Sequence, residues 1–210
     1  MRTLVKENKI VNYDMMLLTT INNLSGHLIW LDKLIMYVSE YGPVIFGLFL
    51  VTLWFSGATK MEVESNRKKA LYAFTAALVG LSFSQMIGFA WFRNRPYVNH
   101  SVHLLLPANP DASFPSDHAT GGFSIASSLV ISNVLGGKLM LGLATLVAFS
   151  RIYVGIHYPT DVIGGMLVGV ISSWLVERYK EVLDKPIALI FSIWKKLEKT
   201  IPALDVGKRA

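Results

Sequence analysis

The sequence of 210 residues lacks cysteine altogether, and only 16% of its residues are charged. The absence of cysteine excludes disulfides, thiol chemistry and cysteine-ligated metal sites. Soluble domains average about 25% charged residues, so this deficit, with 52% hydrophobic residues and a mean hydropathy of +0.45, indicates an integral membrane protein. The formal net charge is +6. In so apolar a chain, basic residues usually flank membrane spans and meet anionic lipids, so we expect membrane lipids and not nucleic acid as partners.

The apolar segments predict a single all-α membrane domain over residues 1–210, a polytopic bundle of five to six transmembrane helices with amphipathic helices at the interface. The chain length suits that number of spans at about 20 residues each. The predicted spans are residues 41–56 with one more turn before them, 70–92, 119–135, 139–149 and 160–176. Residues 15–39 are interrupted by polar side chains and are interpreted either as one or two interfacial helices or as a poor first span.

The polar segments between the spans predict the orientation in the membrane. Residues 57–69 are interpreted as a basic loop, 136–138 as a tight turn, and 177–210 as a charged tail with a basic cytoplasmic part, 180–210. Within that tail, residues 187–201 alternate apolar side chains with lysines, which is typical of a helix that lies on a membrane. By the positive-inside rule these segments are cytoplasmic, so the opposite helix ends are expected outside the plasma membrane.

Three polar motifs lie at those opposite helix ends, within residues 95–161. They are Arg95-Pro96, Pro115-Ser116-Asp117-His118, and Ser150-Arg151 followed by His157 and Asp161. Arginine and histidine are costly in hydrocarbon, so their convergence on one face indicates a functional site. Two arginines suit a phosphate, two histidines suit a nucleophile and an acid, and an aspartate suits the orientation of one histidine. The motifs therefore predict phosphoryl chemistry at the outer membrane surface.

The spacing of the last motif predicts the nucleophile. Pro159 suits the first turn of a helix, which places His157 just before the helix N-terminus and Asp161 in its first turn. Asp161 is then able to accept a hydrogen bond from one imidazole nitrogen and to leave the other nitrogen free to attack.

The other two motifs predict an anion site and a proton donor. Ser116 has the character of an N-cap for the helix that begins near His118. Two helix N-termini that point to one place favour an anion, and Arg95 and Arg151 supply full positive charges. His118, if it lies near the leaving oxygen, is suited to donate the proton that a departing group requires.

Taken singly, each of these residues also has a structural interpretation. An isolated His157 suits a structural hydrogen bond or a metal ligand, and isolated arginines often snorkel at the interface. A zinc or magnesium hydrolase that uses the histidines with Asp117 and Asp161 is the rival mechanism. An arginine pair at the same place would repel a divalent cation, so we expect no metal ion and no cofactor. Arg93 and His103 belong to none of the motifs and are given no functional role.

The order Arg-Pro, Pro-Ser-x-His and Ser-Arg-x5-His-x3-Asp resembles the type 2 phosphatidic acid phosphatase superfamily of lipid phosphatases. The resemblance implies a six-helix membrane core and a metal-independent mechanism in which His157 forms a phosphohistidine, Asp161 is its partner and His118 is the general acid. The residues that would hold the phosphoryl oxygens by this resemblance are Arg95, Ser116 and Arg151.

Two departures from the superfamily pattern point to one branch of it. Gly88 stands where the first motif usually carries a lysine, and Asp117 stands where the second usually carries a glycine. Asp117 is a candidate modulator that would keep His118 protonated. Together with residues 111–114 and 157–159, these departures resemble the bacitracin-resistance branch of undecaprenyl-diphosphate phosphatases, which recycle the lipid carrier of cell-wall synthesis outside the bacterial plasma membrane. The resemblance implies hydrolysis of a polyprenyl diphosphate to the monophosphate.

Other functions remain alternatives at this stage. One is a phosphatase for phosphatidylglycerophosphate, phosphatidic acid or another lipid phosphate. Another is a non-catalytic lipid-phosphate binder or flippase, although binding alone does not need the oriented imidazole that His157 and Asp161 predict. A vanadium haloperoxidase with a related anion site disagrees with the membrane spans, since those relatives are soluble.

Overall fold

In a computed structural model, residues 13–201 and 204 are described, and all regular structure among them is helical. The helices are α1 (13–22), α2 (Ile29–Trp54), α3 (Lys60–Ala90), α4 (Pro96–Asn99), α5 (Asp117–Ile131), α6 (Gly137–Tyr153), α7 (Pro159–Arg178) and α8 (Lys180–Thr200). The predictions for the chain before residue 13 and for the end of the basic tail lie outside the described residues.

Helix α5 forms the centre of the bundle, because small residues let its neighbours approach closely. It contacts α2, α3, α6 and α7. Helix α7 comes so near that a Cβ atom at Gly165 would lie 2.5 Å from the carbonyl oxygen of Ser116. Phe46, Phe123 and Val147 are buried in the main apolar core, which joins α2, α5 and α6. Small residues thus serve close helix packing, as is common in membrane bundles.

The bundle has the dimensions and the surface of a membrane protein. Helices α2, α3 and α7 are long and apolar enough to cross a membrane. Helices α5 and α6 have 15 and 17 residues, so they extend over about 22 and 26 Å at a rise of about 1.5 Å per residue. Large apolar side chains such as Leu48, Phe74 and Leu167 point outward, as a lipid-facing surface requires. The predicted all-α membrane bundle is confirmed.

The first long helix begins further upstream than the sequence predicts. Helix α2 starts at Ile29 and not one turn before residue 41, so residues 15–39 divide between α1 and the first turns of α2. The acidic residue that obscured this start, Asp32, is buried, and its carboxylate accepts a hydrogen bond of 2.7 Å from the Tyr153 hydroxyl. A partnered carboxylate interrupts a membrane helix much less than an isolated one.

The predicted basic loop over residues 57–69 is wrong for most of its length, because α3 begins at Lys60. Thr59 caps this helix: its hydroxyl oxygen accepts a hydrogen bond of 3.3 Å from Glu62 N. The charged residues that resemble a loop in the sequence therefore form the first turns of a long helix that continues as an apolar span.

Helix α8 confirms the helix predicted over residues 187–201 and extends it back to Lys180. It packs against the ends of α2 and α3 that are remote from the motifs. Arg67 of α3 forms an ion pair of 2.7 Å with Glu198, and Trp54 of α2 stacks on Phe191 at 6.1 Å between ring centroids. That α8 lies on a membrane surface stays a prediction.

Candidate active site

The three motifs meet at one end of the bundle. Arg95 precedes α4, Ser116 precedes α5, Arg151 lies in the last turn of α6, and His157 and Asp161 flank the start of α7. The backbone joins these segments directly, since Ser116 N donates a hydrogen bond of 3.0 Å to the carbonyl oxygen of Asp161. Arg95 Nη1 likewise donates to the carbonyl oxygen of Ile156 at 3.1 Å.

The His118 imidazole lies within the same group of side chains. The ionisable groups that act on it electrostatically are Arg151, His157 and Arg95. The structure therefore brings together both histidines, both arginines and Ser116 of the motifs, with Asp161 next to His157. We define the active-site cluster as Arg95, Ser116, His118, Arg151 and His157.

The His157 ring is buried and held in one tautomer. Its Nδ1 donates a hydrogen bond of 2.9 Å to the carbonyl oxygen of Ser113. A carbonyl oxygen only accepts, so Nδ1 carries the proton and Nε2 keeps its lone pair in the neutral ring. Burial lowers the pKa of His157, and the charges of Arg95 and Arg151 act in the same direction against the opposing effect of Asp161. The result is a neutral imidazole whose Nε2 lies 3.2 Å from Arg95 Nη1.

Asp161 supports this histidine by charge and through Ser113. Its Oδ2 lies 3.6 Å from His157 Nδ1, which is longer than a hydrogen bond. The same oxygen accepts hydrogen bonds from Ser113 Oγ (2.5 Å) and from Tyr158 N (2.8 Å). The hydrogen bond that the sequence predicts from the imidazole to Asp161 goes to the Ser113 carbonyl, while Asp161 fixes the loop that presents that carbonyl.

Arg93 and Asp14 are parts of the site that sequence reasoning missed. Arg93 Nη1 donates to Asp161 Oδ1 (2.6 Å) and to Thr160 Oγ1 (2.8 Å), while Nη2 donates to Asp14 Oδ2 (2.6 Å). Its guanidinium carbon also lies 3.8 Å from the ring centroid of Tyr158. Burial acts to lower the pKa of Arg93, but Asp161 and Asp14 outweigh it and raise that pKa. The available signal was the position of Arg93, two residues before Arg95; Asp14 gave none.

Two buried polar atoms of the active-site cluster have no partner among the described residues. They are the hydroxyl oxygen of Ser116 and the Nε of Arg151. Ser116 is the N-cap residue of α5, as predicted, but its side chain makes no capping hydrogen bond. Arg151 donates through Nη1 to the Ser39 hydroxyl at 2.8 Å. Buried donors are normally satisfied, so these two atoms are candidate donors for the oxygens of a ligand.

Asp117, the first residue of α5, and Gly88 of α3 lie beside the cluster. The Asp117 carboxylate accepts hydrogen bonds of 2.6 Å from Ser84 Oγ and from Gln85 Nε2. Both Asp117 and Gly88 line a cavity of about 210 Å³ that also reaches Asp111. The modulation of His118 by Asp117 stays a prediction, because the described contacts of its carboxylate are with α3.

The cluster suits nucleophilic attack on a phosphoryl group. The neutral imidazole presents Nε2 at 3.2 Å from Arg95 Nη1. The cluster also contains the Arg151 guanidinium and the Ser116 hydroxyl, which are suitable donors for the oxygens of a tetrahedral anion. Across the part of the chain that the structure describes, the histidines, aspartates and glutamates form no group of three or more suited to a metal ion.

Comparisons with known proteins show which family the chain resembles. The family model described as PAP2 superfamily matches residues 69–183. Undecaprenyl-diphosphatase BcrC of Bacillus subtilis (strain 168) is 35% identical over 89% of this chain and 93% of the relative. The bacitracin transport permease protein BcrC of Bacillus licheniformis is 32% identical over 86% of this chain and 87% of the relative. The crystal structure of Aquifex aeolicus LpxE is 27% identical, with a TM-score of 0.65, over 79% of this chain and 94% of that one.

The family match covers more than half of the chain and contains the whole active-site cluster. The Bacillus subtilis relative extends the similarity over most of both chains. The chain therefore belongs to the PAP2 superfamily, and it is a metal-independent, hydrolytic lipid phosphatase of membranes.

Proposed function

We propose that the chain is an undecaprenyl-diphosphate phosphatase, which hydrolyses the lipid diphosphate to undecaprenyl phosphate and inorganic phosphate. The observation that carries the reaction is the buried His157, with Nδ1 bonded to the Ser113 carbonyl and Nε2 turned to Arg95. The proposed substrate is supported by the similarity to undecaprenyl-diphosphatase BcrC, which extends over 93% of that relative. The reaction recycles the lipid carrier of the cell wall.

In the first step, His157 Nε2 attacks the terminal phosphorus of the diphosphate. The bond from that phosphorus to the bridging oxygen breaks, and a phosphohistidine forms. Undecaprenyl phosphate leaves, with His118 donating a proton to the released oxygen. The positive charge that develops on the imidazole is stabilised by the Asp161 carboxylate, 3.6 Å from Nδ1.

In the second step, water attacks the phosphohistidine. His118, now unprotonated, takes a proton from that water, and the bond between phosphorus and Nε2 breaks to release inorganic phosphate and restore the enzyme. Arg95, Arg151 and the Ser116 hydroxyl hold the phosphoryl oxygens in both steps. The lipid monophosphate is a good leaving group, which makes the lack of a lysine at Gly88 tolerable.

The site is proposed to face the outside of a bacterial plasma membrane. The cluster lies beyond the C-terminal end of α3, whereas the basic residues of the first turns of α3 and of α8 lie at its other end. Basic residues are enriched on the cytoplasmic side of membrane proteins. A carrier lipid whose diphosphate is released outside the cell would meet the site directly.

The test is phosphate release by the purified protein in detergent with EDTA present. Undecaprenyl diphosphate, phosphatidic acid and phosphatidylglycerophosphate are compared as substrates at equal surface concentration. We expect clear preference for the diphosphate with no requirement for added metal. Preference for a glycerolipid would retain the histidine mechanism and overturn the proposed substrate.

A second candidate function is transport or binding without hydrolysis, which the name of the Bacillus licheniformis relative favours. A binder would release no phosphate from any of the three lipids. Under the proposed function, His157→Ala abolishes phosphate release yet still binds the lipid, because the arginines and Ser116 remain in place.

A further inference from the structure

The carboxylate of Asp111 occupies the donors of Arg95 that a phosphoryl group would use. Asp111 Oδ1 lies 2.8 Å from Arg95 Nε and 2.7 Å from Arg95 Nη2, so one edge of the guanidinium is engaged. The remaining nitrogen, Nη1, contacts the carbonyl oxygen of Ile156 and Nε2 of His157. All three nitrogens of Arg95 are therefore in use before a ligand arrives.

Asp111 is a half-exposed anion at the edge of the cluster. Its charge acts on Arg151 as well as on Arg95. An arginine edge that binds a carboxylate binds phosphate oxygens in the same geometry, so Asp111 Oδ1 stands where a phosphoryl oxygen would lie.

Exposure shows which partner of this ion pair is free to move. The side chain of Arg95 is 8% exposed and that of Asp111 is 50% exposed. The Asp111 carboxylate can therefore rotate into the solvent while the Arg95 side chain stays in place. A surface carboxylate regains its hydration when it does so, which keeps the displacement inexpensive.

We propose that Asp111 is a placeholder for the phosphoryl group: it neutralises Arg95 in the free enzyme and is displaced when the phosphoryl group binds. This inference rests on the proposed function only in that Arg95 binds a phosphoryl group, whichever lipid carries it. The apparent Kd of an anion that must displace Asp111 equals its intrinsic Kd divided by the fraction of enzyme in which Arg95 is free. This factor is the same for every anion that binds at that site. Asp111 thus weakens the retention of product phosphate as well as the binding of substrate.

The test is direct binding of orthovanadate and of inorganic phosphate to the full-length enzyme in detergent, measured by calorimetry without lipid substrate. Asp111→Asn removes the charge and keeps the size of the side chain. We expect D111N to bind both anions about 3-fold to 10-fold more tightly than the wild type, by the same factor for each. A residue with a merely structural role would give weaker binding or no change.

Asp184→Asn is the matched control, because that carboxylate is 49% exposed and lies 3.8 Å from Lys68 at the other end of the bundle. D184N is expected to bind both anions as the wild type does. If D111N does not fold, Asp111→Ser replaces it, with the same expectation.

If the folded Asp111 variant binds the anions as tightly as the wild type or more weakly, the role proposed for Asp111 is wrong. The proposed function is then not affected. If neither anion binds the wild type or the variant, the phosphate site itself is overturned, and with it the proposed function.

Discussion

At the scale of single residues, the proposed mechanism depends on one hydrogen bond that the His157 ring donates. The Ser113 carbonyl accepts it at 2.9 Å, which leaves on Nε2 the lone pair that the proposed attack on phosphorus requires. The sequence identified the histidine and the nearby aspartate because their spacing at a helix start is characteristic. It did not identify Ser113, since a backbone carbonyl of a loop 44 residues away reaches the ring only in the folded chain.

We predict that His157 is neutral and protonated on Nδ1 at pH 6.5. Burial lowers the pKa of His157 below the ordinary value of about 6.5, so the ring gains its second proton only at more acidic pH. The unfolded chain takes up that proton more readily, so the free energy of unfolding falls as the pH drops below about 6.5.

The tautomer and its titration are measured by ¹⁵N NMR of histidine-labelled protein in detergent, with His157→Gln to assign the signals. A ring that is half protonated at or above pH 6.5, or that carries its proton on Nε2, would contradict this prediction.

At the scale of elements, Arg93 ties α1 to the first turn of α7. We predict that Arg93→Ala lowers the free energy of unfolding by about 2–3 kcal/mol, because it leaves the buried carboxylates of Asp14 and Asp161 without their cation. We also expect Arg93→Ala to lower kcat about 10-fold to 100-fold. Without Arg93, Asp161 no longer holds the Ser113 loop in the position in which its carbonyl binds His157. Thermal unfolding and phosphate release in detergent measure the two effects.

Arg93→Lys serves as the control for these ion pairs. It keeps the positive charge but loses the planar guanidinium group that binds both carboxylates. Intermediate losses are expected for it. If Arg93→Ala has the stability and activity of the wild type, the ion pairs of Arg93 contribute neither to folding nor to catalysis.

The approach of α7 to α5 is a second feature at this scale. A Cβ atom at Gly165 would lie 2.5 Å from the Ser116 carbonyl oxygen and 3.0 Å from the Ala119 Cβ. We predict that Gly165→Ala separates the two helices, with a loss of about 1–3 kcal/mol in stability and of about 10-fold in kcat. Thermal unfolding and phosphate release are compared with those of Gly142→Ala.

Gly142 lies on α6, and nothing is found within 4 Å of a Cβ built there. Gly142→Ala is expected to leave activity unchanged and stability equal or higher, because alanine favours helix over glycine. Equal behaviour of the two variants would refute the packing argument.

The starts of α2 and α3 show why the sequence did not predict where these two helices begin. In the sequence, Asp32 and the charged residues after residue 57 indicate breaks in the apolar helices, because isolated charges are costly in a membrane. In the fold, Asp32 accepts a hydrogen bond from Tyr153, a residue 121 positions later. Arg67 likewise pairs with Glu198 on α8. Partners so distant in sequence cannot be predicted from local pattern, whereas the apolar runs themselves could.

At the scale of the whole molecule, the sequence predicted the membrane bundle and the convergence of three motifs at one end. Both follow from local signals, namely apolar runs and polar residues at helix ends. The ion pairs of Arg93 with Asp14 and Asp161, and that of Arg95 with Asp111, depend on how loops fold over those ends, so they became visible only in the structure.

We predict that the cluster faces outward and α8 faces the cytoplasm. The chain has no cysteine, so a single introduced thiol reports position without background. Ser101→Cys, in the exposed loop after α4, is expected to react with a membrane-impermeant maleimide on intact cells. Lys196→Cys, on the exposed surface of α8, should react only after the cells are permeabilised. The reverse pattern would place the site inside.

The measurement that tests the central claim most directly is the trapping of a phosphoenzyme from undecaprenyl diphosphate labelled at its terminal phosphate. The reaction runs in EDTA and is quenched in alkali, where phosphohistidine is stable. The matched variants are His157→Ala and His27→Ala, the latter an exposed histidine in contact with Asn23.

We predict label on the wild type and on the His27 variant, and none on His157→Ala, with phosphate release by the latter reduced at least about 1,000-fold. Label or undiminished turnover in folded His157→Ala, or wild-type turnover that requires an added metal ion, would contradict the account.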